Sequence, residues 1–328
     1  MAHVTRENVE GVVLSLDQKV VMGTLSHKTA HHVWGVVTKM FKDARRSKNP
    51  TIRVRPDDPT LEVEGPEDGE EKAKAFLYPS EFLQLITSEA LTSPAVCHVN
   101  VLRTSLRWRR VFVLATYMHL RAGELRPLRW EDISWLDEKT RAIVHIHHAT
   151  KRDTGGKLEK RTKTGVTRKF EVEPRLIPLL RAMWEESPAK AGRIIDMPPE
   201  GDLSSRLKKY LRWAKVDRED LFADDDARTP ITFRDLRATG ITWRALRGDD
   251  PLKIQRAAGH KSLNTTQIYI RAAEDLGRNV GEPFPELPTD LLGAWSTAGL
   301  RPVYEIANHL KEQTKLASPA GFEPAYQG

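Results

Sequence analysis

The chain has 328 residues, with 52 Lys and Arg against 45 Asp and Glu, a formal charge of +7 and 39% hydrophobic residues. That length allows two domains, no stretch approaches the roughly 18 consecutive apolar residues of a membrane span, and Met1-Ala2-His3-Val4 opens no apolar secretory segment. The lone cysteine, Cys97, excludes an internal disulfide and a Cys-based zinc site, so a cytoplasmic protein is expected, basic enough to permit nucleic-acid binding without establishing it.

Along the chain, residues 27–46 read as an amphipathic helix, with Val33, Val36, Val37, Met40 and Phe41 on one side and Lys39, Lys42, Arg45 and Arg46 on the other. Residues 56–75 hold eight acids, two lysines and several Pro and Gly, a composition that predicts a solvated linker. A globular pattern begins at Phe76, with Ser80 as the expected cap of a helix in P-S-E-F-L-Q-L-I, and a long helix is predicted over 107–126. The alternating run R-A-I-V-H-I-H-H predicts a strand. Between Lys151 and Lys169 lie eight basic residues and two acids, broken by Gly155-Gly156 and Gly165, as in a small antiparallel sheet with basic tips. Helices follow at 203–214, 233–247, 251–258 and 265–275.

Four segments carry residue types suited to phosphate chemistry. In L-R-A-G-E-L-R-P-L-R-W-E-D-I (120–133), Glu124 sits three residues after Arg121 and can hold the helix while Arg121 projects elsewhere. In R-T-K-T-G-V-T-R-K (161–169), Lys163 adjoins a glycine turn. In T-F-R-D-L-R-A-T-G (232–240), Thr232 and Asp235 have capping-box spacing, and Arg234 and Arg237 fall on the first helical turns. Two arginines at a helix N-terminus oppose the macrodipole unless an anion binds there. In A-G-H-K-S-L-N-T-T-Q-I-Y-I (258–270), Gly259 stops one helix, Asn264 and Gln267 are candidate caps of the next, and Tyr269 follows His260 by nine residues.

In order and spacing this set resembles the catalytic signature of the tyrosine recombinase (phage integrase) family, over roughly residues 76–275. Arg121 matches the family's first arginine, with Glu124 and Trp130-Glu131-Asp132 around it. Lys163 matches the hairpin lysine, Arg237 the second arginine, His260 the G-H histidine and Tyr269 the nucleophile. One position departs, since Arg234 stands where the family often has His. Arginine donates to a phosphate oxygen but accepts no proton at neutral pH, which favours an electrostatic role.

The resemblance implies a mainly α fold with a small antiparallel β-sheet (α+β), and cleavage of DNA through a 3′-phosphotyrosyl intermediate without ATP, metal or other cofactor. It also implies double-stranded DNA attachment sites as partners, a homotetramer on synapsed DNA, an accessory DNA-bending protein and a cytoplasmic, nucleoid-associated location. Lys39, Lys42, Arg45, Arg46, Lys151, Arg152, Lys160, Arg161 and Arg168 are the expected DNA-contacting cations. The expected domains are a partial helical core-binding domain (1–50), the linker (51–75), a catalytic domain (76–285), and a helical segment and tail (286–328). A type IB topoisomerase and a truncated, DNA-binding-only remnant share part of this pattern. Of His145, His147 and His148, only His145 and His147 share a face of a strand, with no obvious third ligand, so no metal site is expected. Asp224-Asp225-Asp226 reads as a solvated loop. Residues 288–316 are expected to dock on a neighbouring protomer or on their own domain. The last residues predict a disordered tail, in which Gly321-Phe322-Glu323-Pro324 could be encoded by a transfer RNA T-loop sequence of the kind integrases use as attachment sites.

Overall fold

Helices with apolar stripes must bury them, and this chain does so around separate cores in two units, Met1–Lys72 and Ala73–Gly328. In the computed structural model of the protein, residues 3–69, 72, 75–88, 99–153, 156–161, 167–225, 227–276 and 280–293 are described, with the backbone alone at 99–103, 151–153 and 156–161. Residues 294–316 of the expected trailing segment and the attachment-site peptide lie outside the described residues, as does Lys163.

In the first unit, α1 (Arg6–Val21) starts at a reciprocal cap between Thr5 and Asn8, and α2 (His27–Arg46) starts at Ser26, whose hydroxyl accepts from the Thr29 N–H. Helix α1, with only Val9 and Leu16 buried, is not among the helices that the sequence predicts. Helix α2 covers the predicted range, but its buried face is Ala30, Trp34, Phe41 and Ala44, while Val36 is 68% exposed. Trp34 and Phe41 are the larger apolar surfaces, and burying them leaves Val33, Val36 and Met40 exposed while Val37 still packs against the core. The predicted linker is mostly exposed but pinned at a few points, with Arg55, Pro59, Thr60 and Pro66 buried. Val63 joins the core of α1 and α2, and the Arg55 guanidinium lies 5.5 Å over the Phe41 ring while bonded to Asp57 at 2.8 Å.

The second unit has mainly helices with two small antiparallel sheets. Its elements are α3 (Pro79–Thr87), α4 (Val99–Tyr117), α5 (Ala122–Leu125), β1 (Ile133–Leu136), β2 (Arg141–Ile146), β3 (His148–Asp153), β4 (Gly156–Arg161), β5 (Arg168–Glu171), α6 (Ile177–Glu186), α7 (Leu203–Trp213), α8 (Asp235–Leu246), α9 (Pro251–Ala258) and α10 (Leu263–Glu274). The basic stretch expected to form one sheet is split. β5 pairs with β2, which pairs with β1, while β3 and β4 form a separate hairpin carrying Lys151, Arg152, Lys160 and Arg161. The helix expected over 107–126 breaks after Tyr117, where His119 takes a left-handed φ of 41°, and resumes as α5. Caps also shift by a residue or two. Tyr78, not Ser80, caps α3, with its N–H donating to Glu81, and Ser262, not Asn264, caps α10. Asp235 accepts from the Thr232 N–H and hydroxyl at 2.7 Å each, yet α8 begins only at Asp235, behind Arg234. Residues 288–292 pack on their own unit, with Leu291 fully buried and its carbonyl accepting from Arg110 Nε at 3.0 Å.

Helix α8 is the hub. Every residue from Leu236 to Trp243 is buried, so the helix is enclosed on all sides rather than amphipathic. Trp243 is fully buried between Phe82, Tyr117 and Phe284, and its indole N–H donates to the Leu77 carbonyl at 3.0 Å. At Gly240 the helix approaches α4 so closely that a Cβ would lie 1.9 Å from the Thr116 carbonyl oxygen. That contact sets the depth at which α8 presents Arg237. Gly240→Ala is therefore expected to cost at least the 1–3 kcal/mol typical of overpacking, read as a lowered Tm. Gly201→Ala, at a site with nothing within 4 Å, should leave Tm unchanged.

Candidate active site

The chain turns sharply through His119 and starts α5 with Arg121 at its cap. Glu124, three residues on, reaches back so that its carboxylate accepts from the Arg121 N–H at 2.9 Å and from Arg121 Nη1 at 3.1 Å. This is one half of a capping box, the Glu124 side chain accepting from the cap N–H, with a buried acid held at the helix start. The Arg121 side chain stays 45% exposed, while that of Glu124 is 6% exposed. Glu124 is claimed a second time by Arg168, whose two terminal nitrogens each bond one carboxylate oxygen at 2.9 Å. Arg237 comes within 3.9 Å of the same carboxylate.

Arg237 is almost wholly buried. Its Nη1 donates to the His119 carbonyl at 2.8 Å and its Nη2 to the Ala258 carbonyl. Arg168 Nε donates to the neighbouring Ala257 carbonyl at 2.9 Å. Ala257 and Ala258 are the last residues of α9, whose terminal carbonyls have no acceptance inside the helix, so two arginines fill the negative end of its dipole. Gly259 then takes a left-handed φ of 68° and releases the chain into His260. His260 Nδ1 lies 2.9 Å from the Thr266 hydroxyl of α10, and its ring stacks on Tyr269 of the same helix, 5.7 Å between centroids and 13° from parallel.

Three guanidinium cations thus gather around one carboxylate, leaving two positive charges in excess beside the His260–Tyr269 stack. The cost shows in the titration of the groups. Burial, then the positive charge of Arg121, brings Arg237 down to about 9. Burial pushes the Glu124 carboxyl up, but the hydrogen bonds and charge of Arg168, with the Arg121 amide, outweigh it and hold the group at about 2. A bound anion between these cations would relieve their repulsion.

The structure gathers Arg121, Glu124, Arg237, His260 and Tyr269, and sets Arg234 exposed at the cap of α8, one turn before Arg237. Arg168, expected among the DNA-contacting cations, instead has a side chain that is 8% exposed, with each of its three nitrogens bonded to Glu124 or Ala257. Its burial was hidden in the sequence because it is the seventh of eight similar cations. His119 was not anticipated either; it supplies the carbonyl under Arg237, while its ring is buried against Phe170 and kept neutral by burial and the surrounding arginines. His145, His147 and His148 stand side by side with ring centroids 4.7 and 4.1 Å apart, and His147 Nε2 lies 3.4 Å from Asp132. No metal-binding group of three occurs among the described residues.

A family model described as the phage integrase family matches residues 95–275, more than half the chain. The ICEBs1 integrase of Bacillus subtilis (strain 168) is 23% identical over 261 residues, 74% of this chain and 61% of that protein. Among solved structures, the Tn1549 transposon integrase in complex with a circular intermediate DNA superposes with a TM-score of 0.57 at 17% identity, covering 84% of this chain and 85% of that one. A lambda integrase dimer bound to a COC′ core site gives 0.51 at 15% identity, covering 86% and 84%. The XerH recombinase in a post-cleavage complex gives 0.51 at 16%, covering 83% and 70%. These likenesses place the fold among integrase structures.

The Glu124 carboxylate has a folded-state pKa of about 2, below the ordinary 4.5, so its contribution to stability is complete above pH 4.5 and drains away as pH falls towards 2. Denaturant titrations across that window should show the loss in the wild type and a smaller pH slope in Glu124→Gln, which should also cost about 3–5 kcal/mol at neutral pH by leaving arginines unpaired.

Proposed function

The chain belongs to the phage integrase family, and on that premise we propose that it is a site-specific DNA recombinase that breaks and rejoins DNA through a 3′-phosphotyrosyl intermediate. The observation that carries the reading is the pair of uncompensated guanidinium charges beside a stacked histidine and tyrosine. Cleavage builds negative charge on the non-bridging oxygens of the scissile phosphate, and fixed cationic donors in a dry setting stabilise that charge. Arg121 and Arg237 suit this work because a guanidinium fork matches two phosphate oxygens. His260 adds a donor, and Arg234 supplies a further cation where a histidine is frequent.

Tyr269 is the nucleophile. Its phenol gives up its proton to water, and its oxygen bonds to phosphorus as the bond to the 5′ oxygen breaks. Lys163 donates the proton that the leaving 5′ oxygen needs. The phosphotyrosine conserves the bond energy, so a 5′ hydroxyl from the same or a partner duplex can reverse the step without ATP or metal. Double-stranded attachment sites are the substrate. The β3–β4 hairpin cations, with Lys39, Lys42, Arg45 and Arg46 of α2, bind the backbone. Exchange between two sites calls for a tetramer on synapsed DNA, assisted by a DNA-bending protein.

Tyr269→Phe should form no covalent complex on a nicked suicide substrate while binding DNA with nearly unchanged affinity, and wild-type cleavage should survive EDTA. Covalent complex in the Phe variant, or loss of cleavage that magnesium restores, would overturn the mechanism. Arg234→His should keep most of the activity and Arg234→Ala should lose most of it; equal rates in Ala and wild type would remove Arg234 from the site. Deleting residues 294–328 should preserve single-site cleavage and impair exchange between two mapped sites, which also separates a recombinase from an enzyme that only nicks and reseals.

A further inference from the structure

Arg168 engages all three nitrogens of its guanidinium inside the protein. Two nitrogens grip Glu124 at 2.9 Å each and the third meets the Ala257 carbonyl at 2.9 Å. Its stem shapes the next turn as well, since a Cβ on Gly259 would fall 3.1 Å from Arg168 Cδ, and Gly259 already has φ 68°. One side chain at the start of β5 therefore touches the acid that holds Arg121 and the turn that delivers His260 onto Tyr269.

We propose that Arg168 is a positioning residue, joining Glu124 to the C-terminal end of α9 so that Arg121 and the His260–Tyr269 pair address the same phosphate in one fixed frame. The inference rests on the reading of this site as a phosphotyrosyl-forming centre. Nothing in the arrangement lets Arg168 touch DNA, because its side chain is buried and each nitrogen is engaged internally. Lysine would restore the charge but not the fork, since an ammonium cannot span two carboxylate oxygens and a carbonyl in one plane.

The groups facing Glu124 are Arg121 at its own helix start, Arg168 from β5 and Arg237 from α8, with Asp132, His145, His147 and His148 lining the same small recess. Without Arg168, a buried carboxylate keeps its desolvation and loses its strongest partner, so it takes up a proton at higher pH and lets go of Arg121.

The test is single-turnover formation of the covalent complex on a nicked suicide substrate between pH 5 and 8, with DNA affinity measured alongside. Arg168→Gln is expected to slow cleavage at neutral pH on the order of 100-fold, the scale for a misplacement of about 1 Å. It should also gain an acid limb beyond whatever fall in rate the wild type shows over that range, with affinity and its salt slope unchanged. Arg168→Lys should recover part of the rate and keep the wild-type pH profile, and Glu124→Gln combined with Arg168→Gln should lose the acid limb. A uniform rate loss with a wild-type pH profile, or weaker binding with a salt slope reduced by about one, would overturn the proposal in favour of packing or a DNA contact. If wild-type protein forms no covalent complex, the reading of the site fails, and thermal melts judge Arg168 separately. Relative to wild type, Arg168→Gln should then gain stability from pH 7 to pH 5, because a carboxyl with a raised folded-state pKa stabilises only when protonated. Parallel melting profiles would overturn Arg168's role; should the Gln variant fail to fold, Arg168→Lys is compared for rate and pH profile in its place.

Discussion

The candidate site depends on one buried carboxylate. Arg121, Arg168 and Arg237 come from three separate elements and would repel one another at these distances without Glu124. An isolated buried charge is among the costliest groups a protein can hold, and a carboxylate with several guanidinium partners is tolerated because its lone pairs are filled. Glu124 is shared unevenly. Arg168 holds it bidentately, Arg121 holds it through a backbone and a side-chain donor, and Arg237 stands at the edge of its reach. The outcome is a cluster organised in the free protein yet still short of negative charge, the condition suited to a phosphate.

The cluster stands on the ends of secondary structure. Helix α9 offers two terminal carbonyls to Arg168 and Arg237, and the left-handed turn at His119 offers a third. Such groups are unsatisfied wherever a helix stops or a chain reverses, so they are natural seats for cations. Helix α8 fixes the height of Arg237 through Gly240 against Thr116, and Gly259 lets the chain leave α9 around the stem of Arg168. Packing and chemistry are linked at these two glycines, since any side chain would displace an arginine or the turn beside it.

The first unit shows how composition misleads about order. Residues 56–75 carry eight acids, and charge of that density predicts solvation. Yet Arg55 seats itself on Phe41 and Asp57, Val63 enters the core and His27 Nδ1 pairs with the Glu67 carbonyl. A few well-placed contacts anchor a segment whose remaining acids stay in water.

Sequence alone offered Arg121, Glu124, Arg237, His260 and Tyr269 as candidates, because their order and spacing resemble a family signature that no single segment carries. It determined the limits of α2 and α9 and the stop at Gly259, since periodicity and caps act over a few residues. Tertiary structure decided what acts over distance. Arg168 resembles its neighbours among the basic residues until Glu124, 44 positions away, and Ala257, 89 positions away, enclose it. The rotated face of α2, the division of the basic strands into two sheets and the break at His119 were likewise settled by which surfaces met. Local rules fix a residue's conformation, but burial and pairing belong to partners that the chain brings near only by folding.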